Sequence, residues 1–180
     1  MFASNQPQMQ RRQALRRLGQ FGLQAGVVGV LAGCGFKLRG SQSFAFSSIA
    51  ILPHPGGAVA QELRRSFGST VRVIDKDAPA VQAQVVLDLL SEQREKTVVG
   101  VNASGQVREF QLRIRVRLKL STPQGKELIP EDEILLQRDI SYNESAALAK
   151  EAEENLLYRD MQSDITQQIL RRLAAVKLGA

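Results

Sequence analysis

Side chains that usually carry chemistry are scarce in this chain, which has one cysteine, one histidine, two tyrosines and no tryptophan. One cysteine excludes an internal disulfide framework, and with a single histidine there is no Cys/His cluster for structural zinc. Hydrolysis would need a nucleophile beside a base. His54 sits in Leu52-Pro53-His54-Pro55 with no Gly-x-Ser-x-Gly elbow nearby, so it is read as a solvated turn residue. Asp75-Lys76-Asp77 and Glu131-Asp132-Glu133 lack the alternating ligands and glycine of a calcium loop, and are read as charged turns. Asn102-Ala103-Ser104-Gly105 is too poor in glycine to cradle phosphate and suits a hairpin turn. No enzyme activity, cofactor or metal is expected.

The net charge of +6 over 180 residues invites a nucleic-acid reading, but the basic excess is uneven. Arg11, Arg12, Arg16 and Arg17 precede an apolar stretch over residues 18–32. That stretch ends in Leu31-Ala32-Gly33 directly before Cys34, the order of a charged n-region, an h-region and a cleavage box. It is short for a spanning helix and is interrupted by Gln20, Gln24 and four glycines. Residues 1–33 are therefore expected to be a signal peptide. Without its four arginines, 20 basic residues remain against 18 acidic ones, too small an excess to attract polyanions strongly.

Lipidation is the one chemistry that a lone cysteine satisfies by itself. Leu31-Ala32-Gly33-Cys34 resembles the lipobox of bacterial lipoproteins, which implies a diacylglycerol thioether at Cys34 and acylation of the freed amine. Several acyl chains on one residue give a stable anchor, at about 0.8 kcal/mol per buried methylene. Gly35 stands where, by the usual sorting pattern, an aspartate would retain the protein in the inner membrane, so outer-membrane delivery is expected. Residues 34–47, rich in Gly and Ser, read as the lipidated tether.

Residues 48–180 read as a single domain. Residues 48–52 form a short strand stopped by Pro53 and Pro55, and Gly56-Gly57 leads into a helix in which Val59, Leu63 and Phe67 recur every four residues. A short strand over 71–74 and a long one over 83–99 follow. In residues 107–120, Phe110, Leu112, Ile114, Val116, Leu118 and Leu120 alternate with Gln111, Arg113, Arg115, Arg117 and Lys119 without a slip, giving one buried face and one wet face. Another strand is expected over about 133–142. Asn143 or Ser145 then caps a long helix to about Leu173, striped by Leu157, Met161, Ile165, Ile169 and Leu173. The fold class is α+β, with two helices packed on one face of a mixed, largely antiparallel sheet.

The cations Arg113, Arg115, Arg117 and Lys119 share one strand face and repel modestly, so they ask for partners. In one reading Asp88, Glu92 and Glu133 on neighbouring strands neutralise them. In the other, they meet lipid phosphates or the wall of a partner protein. Nucleic acid is not expected, because no aromatics interleave with the row.

Three stretches resemble one known family. They are Cys34-Gly35-Phe36-Lys37-Leu38-Arg39-Gly40, Arg108-Glu109-Phe110-Gln111-Leu112, and Tyr142-Asn143-Glu144-Ser145-Ala146-Ala147-Leu148-Ala149-Lys150-Glu151 leading into Tyr158-Arg159-Asp160-Met161. On these residues the chain is similar to the LPS-assembly lipoprotein LptE family of Gram-negative outer membranes. The resemblance implies a periplasmic domain that plugs the LptD outer-membrane β-barrel, assists its assembly and helps insert lipopolysaccharide into the outer leaflet. It also implies lipopolysaccharide binding by basic residues, carried over to Lys150, with Arg138 beside it on the strand as a second candidate. A plain solvated cation is the competing reading of Lys150. At the turn before residue 107, where a family cation is expected, this chain has Ala103. A free-standing periplasmic lipid carrier, which would need a deep apolar pocket, is the alternative function.

Overall fold

The computed structural model describes residues 42–74 and 79–178. The elements in chain order are β1 (Ser48–Leu52), α1 (Ala58–Phe67), β2 (Arg72–Val73), a 3-10 turn (Ala80–Gln82), β3 (Val85–Val101), β4 (Val107–Ser121), β5 (Glu127–Ser141), a second 3-10 turn (Glu144–Ala146) and α2 (Ala147–Ala175). The strands form one sheet in the order β2-β1-β3-β4-β5. β1 pairs parallel with β2 and β3, while β3, β4 and β5 pair antiparallel. Both helices bury side chains in one core cluster with the apolar face of the sheet, so the expected α+β arrangement is present.

Period two explains the central strand. Leu112, Ile114, Val116, Leu118 and Leu120 are buried, and the basic residues between them face the opposite side. On β1 and β3, Ile49, Ile51, Val85, Leu87 and Leu89 extend the same floor. Val59, Leu63 and Phe67 of α1 and Met161, Ile165, Ile169 and Leu173 of α2 close it from above. Leu157 packs only partly buried at its margin. On the reverse of β1, Ala50, Ile74 and Ala83 make a small second cluster.

The boundaries differ from the expected ones for local physical reasons. β5 begins at Glu127 rather than near residue 133, because Pro130 is tolerated at an edge-strand irregularity where the register shifts between Leu118 and Leu120. Glu131-Asp132-Glu133 is thus strand rather than charged turn, and its acids alternate between the two sheet faces. Asp75-Lys76-Asp77 lies outside the described residues. The turns at Asn102–Gly105 and Thr122–Gly125 close as hairpins, with Gly105 and Gly125 at positive φ. Asn143 caps the 3-10 turn, its side chain accepting from Ser145 N, and α2 starts only after that turn.

A bulge in β3 shapes everything beyond it. The pairing shifts between Leu89 and Ser91, so that Glu92 lies opposite Val116, Arg94 opposite Ile114 and Lys96 opposite Leu112. One extra residue reverses the facing of the remaining strand. Three charged side chains therefore point to the helix side, where unbroken alternation would have put apolar ones. Glu92 does not face the basic row, contrary to the expectation. Its carboxylate instead accepts from the N–H groups of Ala58 and Val59, at 3.0 and 3.1 Å, and caps α1 from across the sheet. Gly57 makes this approach possible, since a Cβ there would lie 2.2 Å from a Glu92 carboxylate oxygen.

Candidate functional site

Two groups of basic residues occupy opposite faces of the sheet. Arg113, Arg115, Arg117 and Lys119 line the face away from the helices. Arg115 meets Glu133 at 3.4 Å, Lys119 meets Asp88 at 3.7 Å, and Arg117 is held by Glu131. The hydrogen bond and charge of Glu131 push the Arg117 guanidinium above its ordinary range. Arg113 donates to Gln111 at 2.7 Å, and Gln111 in turn donates to Asp139 at 3.0 Å. The row is a cross-strand charge ladder on a solvated face, three of its four cations paired directly with acids.

Lys150 and Arg138 lie on the helix side. Lys150, on the first turn of α2, donates to Ser141 at 3.0 Å and to Glu153 at 2.9 Å. Arg138 lies opposite Leu112 in β5 and reaches Asp164, at 3.6 Å, well along α2. The two are on the same face but share no partner, so the structure does not join them into one site. His54 is exposed, as expected. Arg64 holds the turn around it by donating to the carbonyls of Ile51, Pro53 and Pro55, and burial lowers the Arg64 pKa.

Lys150 lines an open cleft of about 340 Å³ where the start of α2 passes over the ends of β4 and β5. Phe110 and Ile140 contribute apolar surface, with Tyr142 edge-on to Phe110 at 5.2 Å between centroids. Lys96 Nζ stands 4.3 Å above the Phe110 ring and 2.5 Å from Glu154. Leu148 lies at the rim, 84% exposed. The combination is an apolar floor edged by two ammonium groups and by carboxylates, which suits an amphiphile with anionic groups. An ammonium has three donors, and Ser141 and Glu153 take two of those on Lys150.

Lys96, Phe110 and Tyr142 are absent from the sequence-derived set of site residues. The reversal of β3 brings Lys96 there, and its one trace in the sequence is the adjacent pair Leu89-Leu90, where alternation breaks. Cys34 and the expected signal peptide lie outside the described residues.

The family model described as LptE, lipopolysaccharide-assembly, matches residues 42–173. The chain is 29% identical over 155 residues to the LPS-assembly lipoprotein LptE of Yersinia enterocolitica, across 82% of this chain and 71% of that protein. Its likeness to the LptE of Pectobacterium atrosepticum is 25% over the same length, covering 80% of that protein. Among solved structures, an uncharacterized lipoprotein B from Nitrosomonas europaea superposes with a TM-score of 0.66 at 35% identity, over 78% of this chain and 91% of that one. The rare lipoprotein B of Shewanella oneidensis has the same fold, with a TM-score of 0.60 at 24% identity, over 71% and 94% of the respective chains. With a family model spanning most of the length and a fold to match, this chain belongs to the LptE lipopolysaccharide-assembly family.

Proposed function

We propose that this protein is a lipid-anchored outer-membrane subunit that plugs the LptD β-barrel, assists its assembly and helps insert lipopolysaccharide into the outer leaflet. The family match across residues 42–173 carries this reading. Cys34, cut free of residues 1–33, is the proposed lipidation site. The face bearing Arg113, Arg115 and Arg117 is largely neutralised by its own acids, which suits a polar protein wall better than a polyanionic lipid. A free carrier would have to enclose acyl chains in a deep apolar pocket, whereas the cleft at Lys150 is open and edged with charge.

Affinity purification of the tagged protein from detergent-extracted native membranes tests the reading. LptD should be recovered with it. Full-length lipidated protein migrating as a free monomer, with the barrel elsewhere in the gradient, would overturn the plug.

The cleft supports Lys150 as a contact for lipopolysaccharide phosphates, with Arg138 as a more distant cation on the same side. Lys150→Glu removes a charge-assisted donor and adds repulsion, so lipopolysaccharide binding should fall by about tenfold or more while barrel recovery is unchanged. Unaltered capture of lipopolysaccharide by that variant in a pull-down would remove the site.

A further inference from the structure

Lys96 reaches the cleft by way of an irregularity. Past the β3 bulge it lies opposite buried Leu112, on the helix side, and it lines the cleft together with Lys150. One extra residue in a strand re-aims the side chains after it, and such bulges recur beside binding sites. With unbroken alternation Lys96 would join Arg113 and Arg115 on the open face of the sheet, far from Lys150.

Two contacts of different kinds hold this ammonium. Its nitrogen lies 4.3 Å from the centre of the Phe110 ring and 2.5 Å from the Glu154 carboxylate. The ring attracts the cation through its quadrupole but carries no net charge, so it positions the ammonium without neutralising it. Glu154 does neutralise it, from 58 residues away in the chain. The Glu154 side chain lines the cleft, whereas Glu153, the partner of Lys150 on the same helix, does not. Glu154 is also the more enclosed of the two, at 20% side-chain exposure against 48%. One of the two cleft ammonium groups is thus matched by a carboxylate that lies inside the cleft itself.

That pairing is exchangeable. The Lys96 side chain remains 37% exposed, and an ion pair so open to water is weak. A phosphate monoester brings about −1.5 to −2 charges and three acceptor oxygens, against a single charge on a carboxylate. Glu154 stands on α2 between exposed residues, so its charge can turn to solvent once released. Phe110 stays beneath the ammonium throughout, and the cation keeps its place when the carboxylate leaves.

We propose that Lys96 is the second phosphate-binding cation of the cleft, and that Glu154 is its built-in counter-ion, which a phosphorylated amphiphile displaces on binding. The inference rests on the reading of the cleft as a phosphate contact. Its test is equilibrium binding of lipopolysaccharide in detergent to the full processed chain. Glu154→Gln should tighten binding about two- to fivefold, the worth of an exposed ion pair. Glu154→Asp keeps the charge but falls short of Lys96, and should tighten binding as well. Lys96→Met should weaken it several-fold, and in that background Glu154→Gln should gain less than in the native chain. Lipopolysaccharide stripped of its phosphates should bind all these proteins alike. Inorganic phosphate has nothing to lay on Phe110 and Ile140, and a gain seen with it alone would overturn the amphiphile as the occupant. No gain with Glu154→Gln, none with Glu154→Asp, or an undiminished gain in the Lys96→Met background would each overturn Glu154 as the counter-ion. If Lys150→Glu also leaves binding unchanged, the phosphate reading of the cleft falls too; if Lys150→Glu abolishes binding, that reading stands and this inference alone falls.

Discussion

At the residue scale, two buried polar groups on α2 pull in opposite directions. Thr166 is fully buried and its hydroxyl has no hydrogen-bond partner. A buried hydroxyl left unpaired is destabilising, and valine keeps the shape without it. Thr166→Val should therefore raise the stability by about 1 kcal/mol in urea unfolding, with an unchanged m-value. A loss of stability would mean that the hydroxyl is satisfied after all. Tyr158, by contrast, is well placed: its hydroxyl donates to the Glu95 carbonyl at 2.7 Å, and Arg94 lies 5.4 Å from its ring centroid. Burial, then the charge of Glu154, raises its pKa above the ordinary value of 10.0. The folded state holds this proton more tightly than the unfolded one, so stability is retained below about pH 10 and declines as pH rises through the folded pKa. Thermal unfolding between pH 9 and 11.5 should show that decline. Tyr158→Phe should flatten it while lowering stability at pH 7, and an unchanged alkaline slope would assign the decline to other groups.

At the element scale, α1 has no cap of its own. Gly57 has no side chain to offer, and the negative charge its first turn needs comes from Glu92, 34 residues from Ala58. Gln162 strengthens the same junction, receiving from Arg94 at 2.8 Å and donating to Glu62 at 2.7 Å. Glu92→Ala should cost about 1–2 kcal/mol, the value of a lost charged cap, and Glu92→Gln less. Chemical denaturation reads the difference, and equal stability of all three proteins would show that the cap contributes nothing. This junction also marks the limit of what the residues alone reveal. The strict alternation of β4, the four-residue stripe of α2 and the glycine-bearing turns are local patterns, and they foretold strand, helix and hairpins. The β3 bulge is set by tertiary pairing, so the facing of Glu92, Arg94 and Lys96 is not written in any local pattern. The same applies to the site: Lys150 is a candidate through the family resemblance of residues 142–151 and not through any local pattern, and the aromatic floor beside it needs β4 and β5 brought together.

At the scale of the whole molecule, the core and the candidate site occupy different ends of the sheet. β1 pairs with β3 only from Val85 to Asp88, and the fully buried side chains gather over that end and the middle of β4. Beyond the bulge the helix side of β3 carries Arg94 and Lys96, and contacts there are polar or aromatic. α2 runs roughly 43 Å over this gradient, from exposed Leu148 at the cleft to buried Leu173 above the core. Stability is therefore supplied at one end and the functional surface is presented at the other, where local opening costs less. Ile165→Ala should lose about 2–5 kcal/mol, because a fully buried side chain leaves a cavity, whereas Leu148→Ala should change stability by less than about 0.5 kcal/mol. Native-state hydrogen exchange gives the same division amide by amide. The amides of Leu112–Leu120 and Ile165–Leu173 should exchange only through global unfolding, and those of Val98–Val107 and Leu148–Lys150 through local opening orders of magnitude faster. Uniform protection along β4 would show instead that the cleft end is as rigid as the core, leaving no low-energy motion for a partner or a lipid to exploit.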